Sequence, residues 1–231
     1  MTHGIGMALG LHDPALFALS VLVLNATPGV DLVFVVGRTL QCGPRTGLAG
    51  AAGISLGCVV HALAAASGLA ALLAMSATAF SALKWLGAAY LVWLAAGMLR
   101  AAWADPARAP AAAVSPGAAD EAPPLGRTFR QGLLTNVLNP KVALFFLAFL
   151  PQFIDAATPD KAFSFLVLGA WFAAQSALFL AVLVGITGLL RQRARSSIFG
   201  SASAGRWLQG LGGLLFLGLA ARLARTEAPV P

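Results

Sequence analysis

The chain has 231 residues, of which 59% are hydrophobic and only 10% charged, and its mean hydropathy is +0.84. Charged residues make up about a quarter of a soluble domain, so so few polar groups exclude a water-soluble globule and point to an integral membrane protein. The formal net charge of +7 falls in short segments between apolar runs, where it marks topology; it forms no basic stripe or patch of the kind a nucleic-acid-binding face needs, so nucleic acid is excluded as a partner.

A spanning helix needs about 20 mainly apolar residues, and six stretches meet that requirement. The first runs from Pro14 to Val36; Met1 to His12 ahead of it lacks the basic n-region of a secretory signal, so this run is expected to be retained. It is interrupted by Asn25-Ala26-Thr27-Pro28-Gly29-Val30-Asp31. The second, Gly47 to Met75, carries Gly47, Gly50, Gly53 and Gly57 with Ser55 at spacings of three and four, a small-residue face that suits close helix packing and would also suit a homodimer. The third runs from Phe80 to Leu99. Ala104 to Gly126, rich in Ala, Pro and Gly with Asp120 and Glu121, reads as a flexible linker. The fourth, Phe129 to Leu150, is interrupted by Asn136-Val137-Leu138-Asn139-Pro140-Lys141. The fifth, Phe163 to Leu190, contains Gln175, and the sixth is Trp207 to Ala221. The expected fold is therefore an all-α integral membrane protein with six transmembrane helices, divided into residues 1–103, the linker 104–126, and residues 127–231.

Basic loops stay cytoplasmic. Arg38, Arg45, Arg100, Arg108, Arg127, Arg130, Arg191, Arg193, Arg195 and Arg206 fall on one side of this arrangement, and Lys84, Lys161, Arg222 and Arg225 on the other. Both termini are thus expected to face outward, although Arg222 and Arg225 would fit an inside tail if the sixth stretch did not cross. Three crossings per half invert the second half relative to the first, the architecture of many secondary transporters. Lys84-Trp85-Leu86 with Arg100, and Arg206-Trp207-Leu208 with Arg222, repeat at one constant offset. The broken first and fourth helices then occupy equivalent places in two inverted three-helix repeats, the strongest sequence pointer to a transporter's binding site.

Proline removes a backbone donor and leaves carbonyls unpaired, which in lipid persists mainly where a helix lines a cavity. Freed carbonyls can hold a cation or a substrate ammonium, and the resuming helix offers N–H groups to a carboxylate. Two such breaks facing each other suit a zwitterion. Asp31 lies about 10 Å along a helix from Arg38, and Lys141 about 16 Å from Arg130, so the two are expected at similar depths and within reach of pairing in the absence of substrate. A substrate would split that pair. The candidate substrate-binding residues are Asn25, Pro28, Gly29, Asp31, Asn136, Asn139, Pro140 and Lys141; a proton on Asp31, with His61 and Gln175 at roughly equivalent depths in the two halves, is the candidate relay for coupling.

Each residue also has a plainer reading. Asp31 would cap a short cytoplasmic helix, Lys141 would snorkel, the asparagines would bond freed backbone, and His61 would simply join two helices. The two cysteines, Cys42 and Cys58, form neither a disulfide framework nor a CxxC, and nothing suggests zinc or a cofactor. HExxH, GxSxG and Walker patterns are lacking, so an enzyme or an ATP-driven pump is not expected.

The two motifs resemble those of the LysE/RhtB family of bacterial amino-acid exporters. Asn25 to Asp31 is similar to that family's first-span Pro-Gly-Pro motif, with Val30 in place of the second proline and therefore an expected shorter opening. Asn139-Pro140-Lys141 with Phe145-Phe146 and Pro151-Gln152-Phe153 resembles its fourth-span motif, and Lys84 to Leu94 its third-span signature. The resemblance implies proton-linked export of amino acids or related metabolites across the inner membrane. Export of another small solute or a metal cation, and a non-transporting membrane scaffold, are the alternatives; Lys141 at the midplane argues against the cation.

Overall fold

The structure, a computed structural model, describes residues 10–69, 77–103, 123–155 and 158–193, together with Leu214, Leu217, Gly218, Ala220, Ala221 and Arg225. The regular elements among these are all helices: α1 (Pro14–Ala26), α2 (Val30–Cys42), α3 (Pro44–Ala64), α4 (Ala77–Trp103), α5 (Leu125–Val137), α6 (Pro140–Phe149) and α7 (Lys161–Arg193). Most of the expected linker, most of the sixth stretch and the end of the second lie outside the described residues.

Both expected breaks are present. α1 and α2 meet at an angle of 57° across Thr27-Pro28-Gly29, and α5 meets the run from α6 to Phe153 at 50° across Leu138-Asn139. Each bent pair is followed by a long apolar helix, Pro44–Gly68 after the first and Lys161–Arg191 after the second. Among the described residues there are thus two helices long and apolar enough to span, or up to four with each bent pair as one span. The same order of bent pair and long helix recurs in both halves.

Span ends differ from the sequence expectation. The first crossing continues past Val36 to Cys42, and the second begins at Pro44 rather than Gly47. The reason is local: Gly43, at φ 94°, reverses the chain alone, and Pro44 opens α3 at a position where its missing N–H costs nothing. α3 ends in a wider π turn over Ala65–Leu69. α6 tightens into a 3₁₀ turn over Leu150–Phe153.

The two bent pairs run in opposite directions. At one end Gly10 to His12 lies along Phe153 to Asp155: His12 N–H donates to Phe153 O at 3.2 Å, Asp155 N–H donates to Gly10 O at 2.8 Å, and Leu11 bridges Ile154. At the other, Arg38 near the end of α2 donates to Gln131 Oε1 in α5 at 2.9 Å, and Arg191 at the end of α7 donates to Gln41 O at 3.2 Å. Arg38 and Arg191, two of the arginines expected on one side, therefore lie at the same end of the molecule.

Packing relies on small residues where helices touch and on aromatics elsewhere. A methyl group on Gly53 would run into Phe129 O, and one on Gly132 into Gly50 O, so α3 and α5 approach backbone to backbone. Phe17, Phe145, Phe149, Phe153 and Phe172 are fully or almost fully buried and interlock, with Phe145–Phe149 centroids 4.2 Å apart and Phe17–Phe153 edge to face at 5.3 Å. Outward, Leu178, Val182, Ile186 and Leu189 expose one face of α7. In water such a stripe would be an association surface; in a bilayer it is the lipid-facing side.

Candidate functional site

Each proline break takes the helical donor away from one carbonyl, that of the residue four positions earlier. For Pro28 that acceptor is Leu24 O, and for Pro140 it is Asn136 O. Each keeps a tighter backbone bond, from Thr27 N–H to Leu24 O at 3.3 Å and from Asn139 N–H to Asn136 O at 2.9 Å, and each also accepts from a side chain of another span. Lys141 Nζ donates to Leu24 O at 2.9 Å and to Thr27 O at 3.0 Å, crossing from the second broken helix to the first. His61 Nε2–H donates to Asn136 O at 3.1 Å from α3. The plainer reading of His61 as a helix-joining residue thus describes the contact that it makes.

Asn139 explains the start of α6. Its side chain caps the helix by accepting from Lys141 N–H at 3.0 Å, with Pro140 at the first helical position. This fixes the root of Lys141, and Tyr90 in α4 donates to Lys141 O at 3.2 Å to hold the same turn. The ammonium passes close to Gly29: a methyl group there would stand in ordinary contact, 3.6 Å from Lys141 Nζ.

Asn136, 1% exposed, donates through Nδ2 to Asp31 Oδ2 at 2.7 Å. The expected direct ion pair between Asp31 and Lys141 is not formed. The carbonyls that Pro28 frees lie nearer to the lysine and compete for its ammonium, while Asn136 supplies the carboxylate's donor. Asn25 Oδ1 accepts from Ser176 Oγ of α7 at 3.1 Å.

These groups surround one internal cavity of about 30 Å³. Asn25, Thr27, Gly29, Asp31, Asn136, Asn139 and Lys141 form its polar side. Leu32, Ile54, Phe172 and Leu180 form part of its apolar side, with Cys58 and Ser176 between. Three polar atoms in this group, Asn25 Nδ2, Asp31 Oδ1 and Asn136 Oδ1, are buried with no hydrogen-bond partner. In an apolar medium an unpaired polar atom costs about 1–3 kcal/mol, so the cluster carries hydrogen-bonding capacity that the protein itself does not use. That volume is space for a water or two, far below the volume of an amino acid.

Of the sequence candidates, Asn25, Gly29, Asp31, Asn136, Asn139 and Lys141 therefore share one cavity, and Pro28 and Pro140 shape it without lining it. His61 touches it through Asn136. Gln175 lies apart: it donates to Ala18 O at 2.7 Å and accepts from Trp171 Nε1 at 3.1 Å. Its neighbour Ser176 is a polar α7 residue that lines the cavity, which sequence reasoning missed although both sit in the same short polar interruption. Adjacent helical residues point about 100° apart, and only the fold chooses between them.

The profile of the LysE type translocator family matches residues 22–227, which include both breaks and every residue of the cavity. The chain belongs to that family. This LysE type translocator is 36% identical over 218 residues to an uncharacterized membrane protein of Pseudomonas aeruginosa, a match covering 94% of this chain and 96% of that one. It is 33% identical over 220 residues to an uncharacterized membrane protein of Vibrio cholerae, covering 95% and 100%. It is also 29% identical over 216 residues to a leucine efflux protein of Salmonella typhimurium, covering 92% and 94%. No solved structure matches the chain. The family and these relatives make this LysE type translocator a multi-pass membrane transporter and not an enzyme.

Proposed function

We propose that this translocator exports amino acids with apolar side chains from the cytoplasm across the bacterial inner membrane, coupled to protons. The single observation that carries the reading is the cavity between the two breaks, where a carboxylate, a lysine ammonium and unpartnered amide atoms face an apolar wall. A free amino acid needs an acceptor for its ammonium, donors for its carboxylate and an apolar surface for an aliphatic side chain. The name of the leucine efflux relatives points the same way. For proton coupling the supporting feature is the line from Asp31 through Asn136 to His61, which joins both broken helices and α3. Asp31 is the natural carrier, since its charge change would alter what holds Asn136.

The six-helix inverted repeat is part of the same proposal, supported by the antiparallel bent pairs and by the repeated order of bent pair and long helix. The alternatives make different demands. A metal site needs several anionic or thiolate ligands, and here an ammonium occupies the same cavity. A scaffold would tolerate Asp31→Asn and Lys141→Met, because its helices need only pack. The test is efflux from proteoliposomes loaded with a mixed pool of labelled amino acids under an imposed pH gradient. Gradient-driven efflux of leucine and its aliphatic analogues, lost in both variants, is expected; retention of every amino acid by folded wild-type protein would overturn the reading.

A further inference from the structure

From the unpartnered atoms in the cavity we infer how the substrate is held: its carboxylate by Asn25 Nδ2 together with Lys141 Nζ, and its ammonium by Asp31 Oδ1. This rests on the amino-acid reading above and narrows it to molecules carrying both groups on one carbon. The donor and acceptor count is specific. Lys141 has three N–H donors and spends two on Leu24 O and Thr27 O, leaving one beside the cavity that Lys141 lines. Asn25 spends its oxygen on Ser176 Oγ, so its amide is oriented with the NH₂ group unpaired and buried. Asp31 spends Oδ2 on Asn136 Nδ2 and keeps Oδ1 unpaired and buried. Asn136 Oδ1, also unpaired and buried, adds a neutral acceptor to the same cavity, which therefore presents two donors, one charged acceptor and one neutral one, the complement of a zwitterion and of neither a simple amine nor a simple acid.

Ser176 is then a positioning residue. Its hydroxyl never needs to touch substrate; by donating to Asn25 Oδ1 it decides which end of the amide faces the cavity. The lysine has a related double use. Because Leu24 O and Thr27 O already anchor its ammonium, it approaches the carboxylate from a fixed place and keeps α1 and α6 together at the break. The substrate's own ammonium is excluded from those carbonyls and directed to Asp31. A cationic side chain on the substrate would meet no second carboxylate among the residues lining the cavity.

The test is competition against labelled-leucine counterflow in proteoliposomes, using leucine, leucinamide (no carboxylate) and 4-methylpentanoate (no ammonium). In the wild type each analogue is expected to compete about 10- to 150-fold more weakly than leucine, the range for loss of a hydrogen bond to a charged group. Asn25→Asp replaces the free donor with an acceptor of the same shape. It is expected to weaken leucine by about 10- to 100-fold while leaving leucinamide unchanged or stronger, so their ratio narrows or inverts. Ser176→Ala removes only a hydroxyl and is expected to narrow the same ratio by a few-fold, a change that looser packing alone would not produce. If wild-type protein runs leucine counterflow but the leucine-to-leucinamide ratio is the same in both variants, the assignment is overturned while the transport reading stands. If folded wild-type protein runs no amino-acid counterflow, both fall.

Discussion

Replacing Gly57 with Ala perturbs the site without touching a charged residue. The added methyl would stand 2.5 Å from Asn136 Oδ1, 2.7 Å from its Cβ and 2.9 Å from its Cγ, where ordinary contact begins near 3.4 Å. Asn136 would have to withdraw by about 0.7–0.9 Å. Its bond to Asp31 Oδ2 is 2.7 Å long, so a withdrawal along that bond reaches the limit of hydrogen bonding. Overpacking costs about 1–3 kcal/mol, and the better helix propensity of Ala returns up to about 1 kcal/mol, so the protein is expected to fold. The hydrogen bond to a charged carboxylate is worth about 1.5–3 kcal/mol, which corresponds to about 10- to 150-fold in apparent affinity. Transport kinetics therefore suffer more than stability. The assay is leucine counterflow as a function of concentration, with thermal unfolding in detergent as the folding check and Gly37→Ala, whose methyl meets nothing within 4 Å, as the control. A folded Gly57→Ala protein with a wild-type KM would refute the claim that Asn136 organises the site.

Three further outcomes are expected. Lys141→Met removes the two bonds that the ammonium makes to Leu24 O and Thr27 O, so beyond abolishing export it is expected to lower stability by about 1–3 kcal/mol in denaturation; unchanged stability would mean that the lysine does not tie the two breaks together. Gln175→Leu removes a bond to Ala18 O and one from Trp171, at a cost of about 1 kcal/mol, yet is expected to leave the pH dependence of export unaltered; a displaced pH profile would restore Gln175 to the proton relay. Cys42, part-exposed at the end where the arginines gather, is expected to react with a membrane-impermeant maleimide only from the cytoplasmic side, and labelling from the outside would reverse the orientation.

The breaks were legible in the sequence because proline acts through a fixed relation. Its missing N–H takes the helical donor from the carbonyl four residues earlier whatever the surroundings, so Pro28 and Pro140 mark where a carbonyl is opened to a second donor from another span. The opposed direction of the two bent pairs was legible for a similar reason, since basic residues mark the ends. Which donor would serve which acceptor was not. The pairing of Lys141 with Leu24 O and Thr27 O rather than with Asp31 depends on how α6 is rotated and how deep it sits, and spacing along one chain holds neither quantity. The same limit explains Gln175 and Ser176, neighbours of which one bonds to the backbone of α1 and the other lines the cavity. It also explains the turn at Gly43, where a single residue with positive φ took the place of the short loop that the apolar windows suggested.

The central claim is that substrate sits between the two breaks, and photo-crosslinking with a diazirine analogue of leucine tests it most directly. Reconstituted wild-type protein, irradiated with the analogue and mapped by mass spectrometry, is expected to carry adducts within residues 24–32, 54–58, 136–142 and 172–180, each suppressed by excess leucine. Saturable adducts confined to other segments would contradict the account, whatever the transport assays showed.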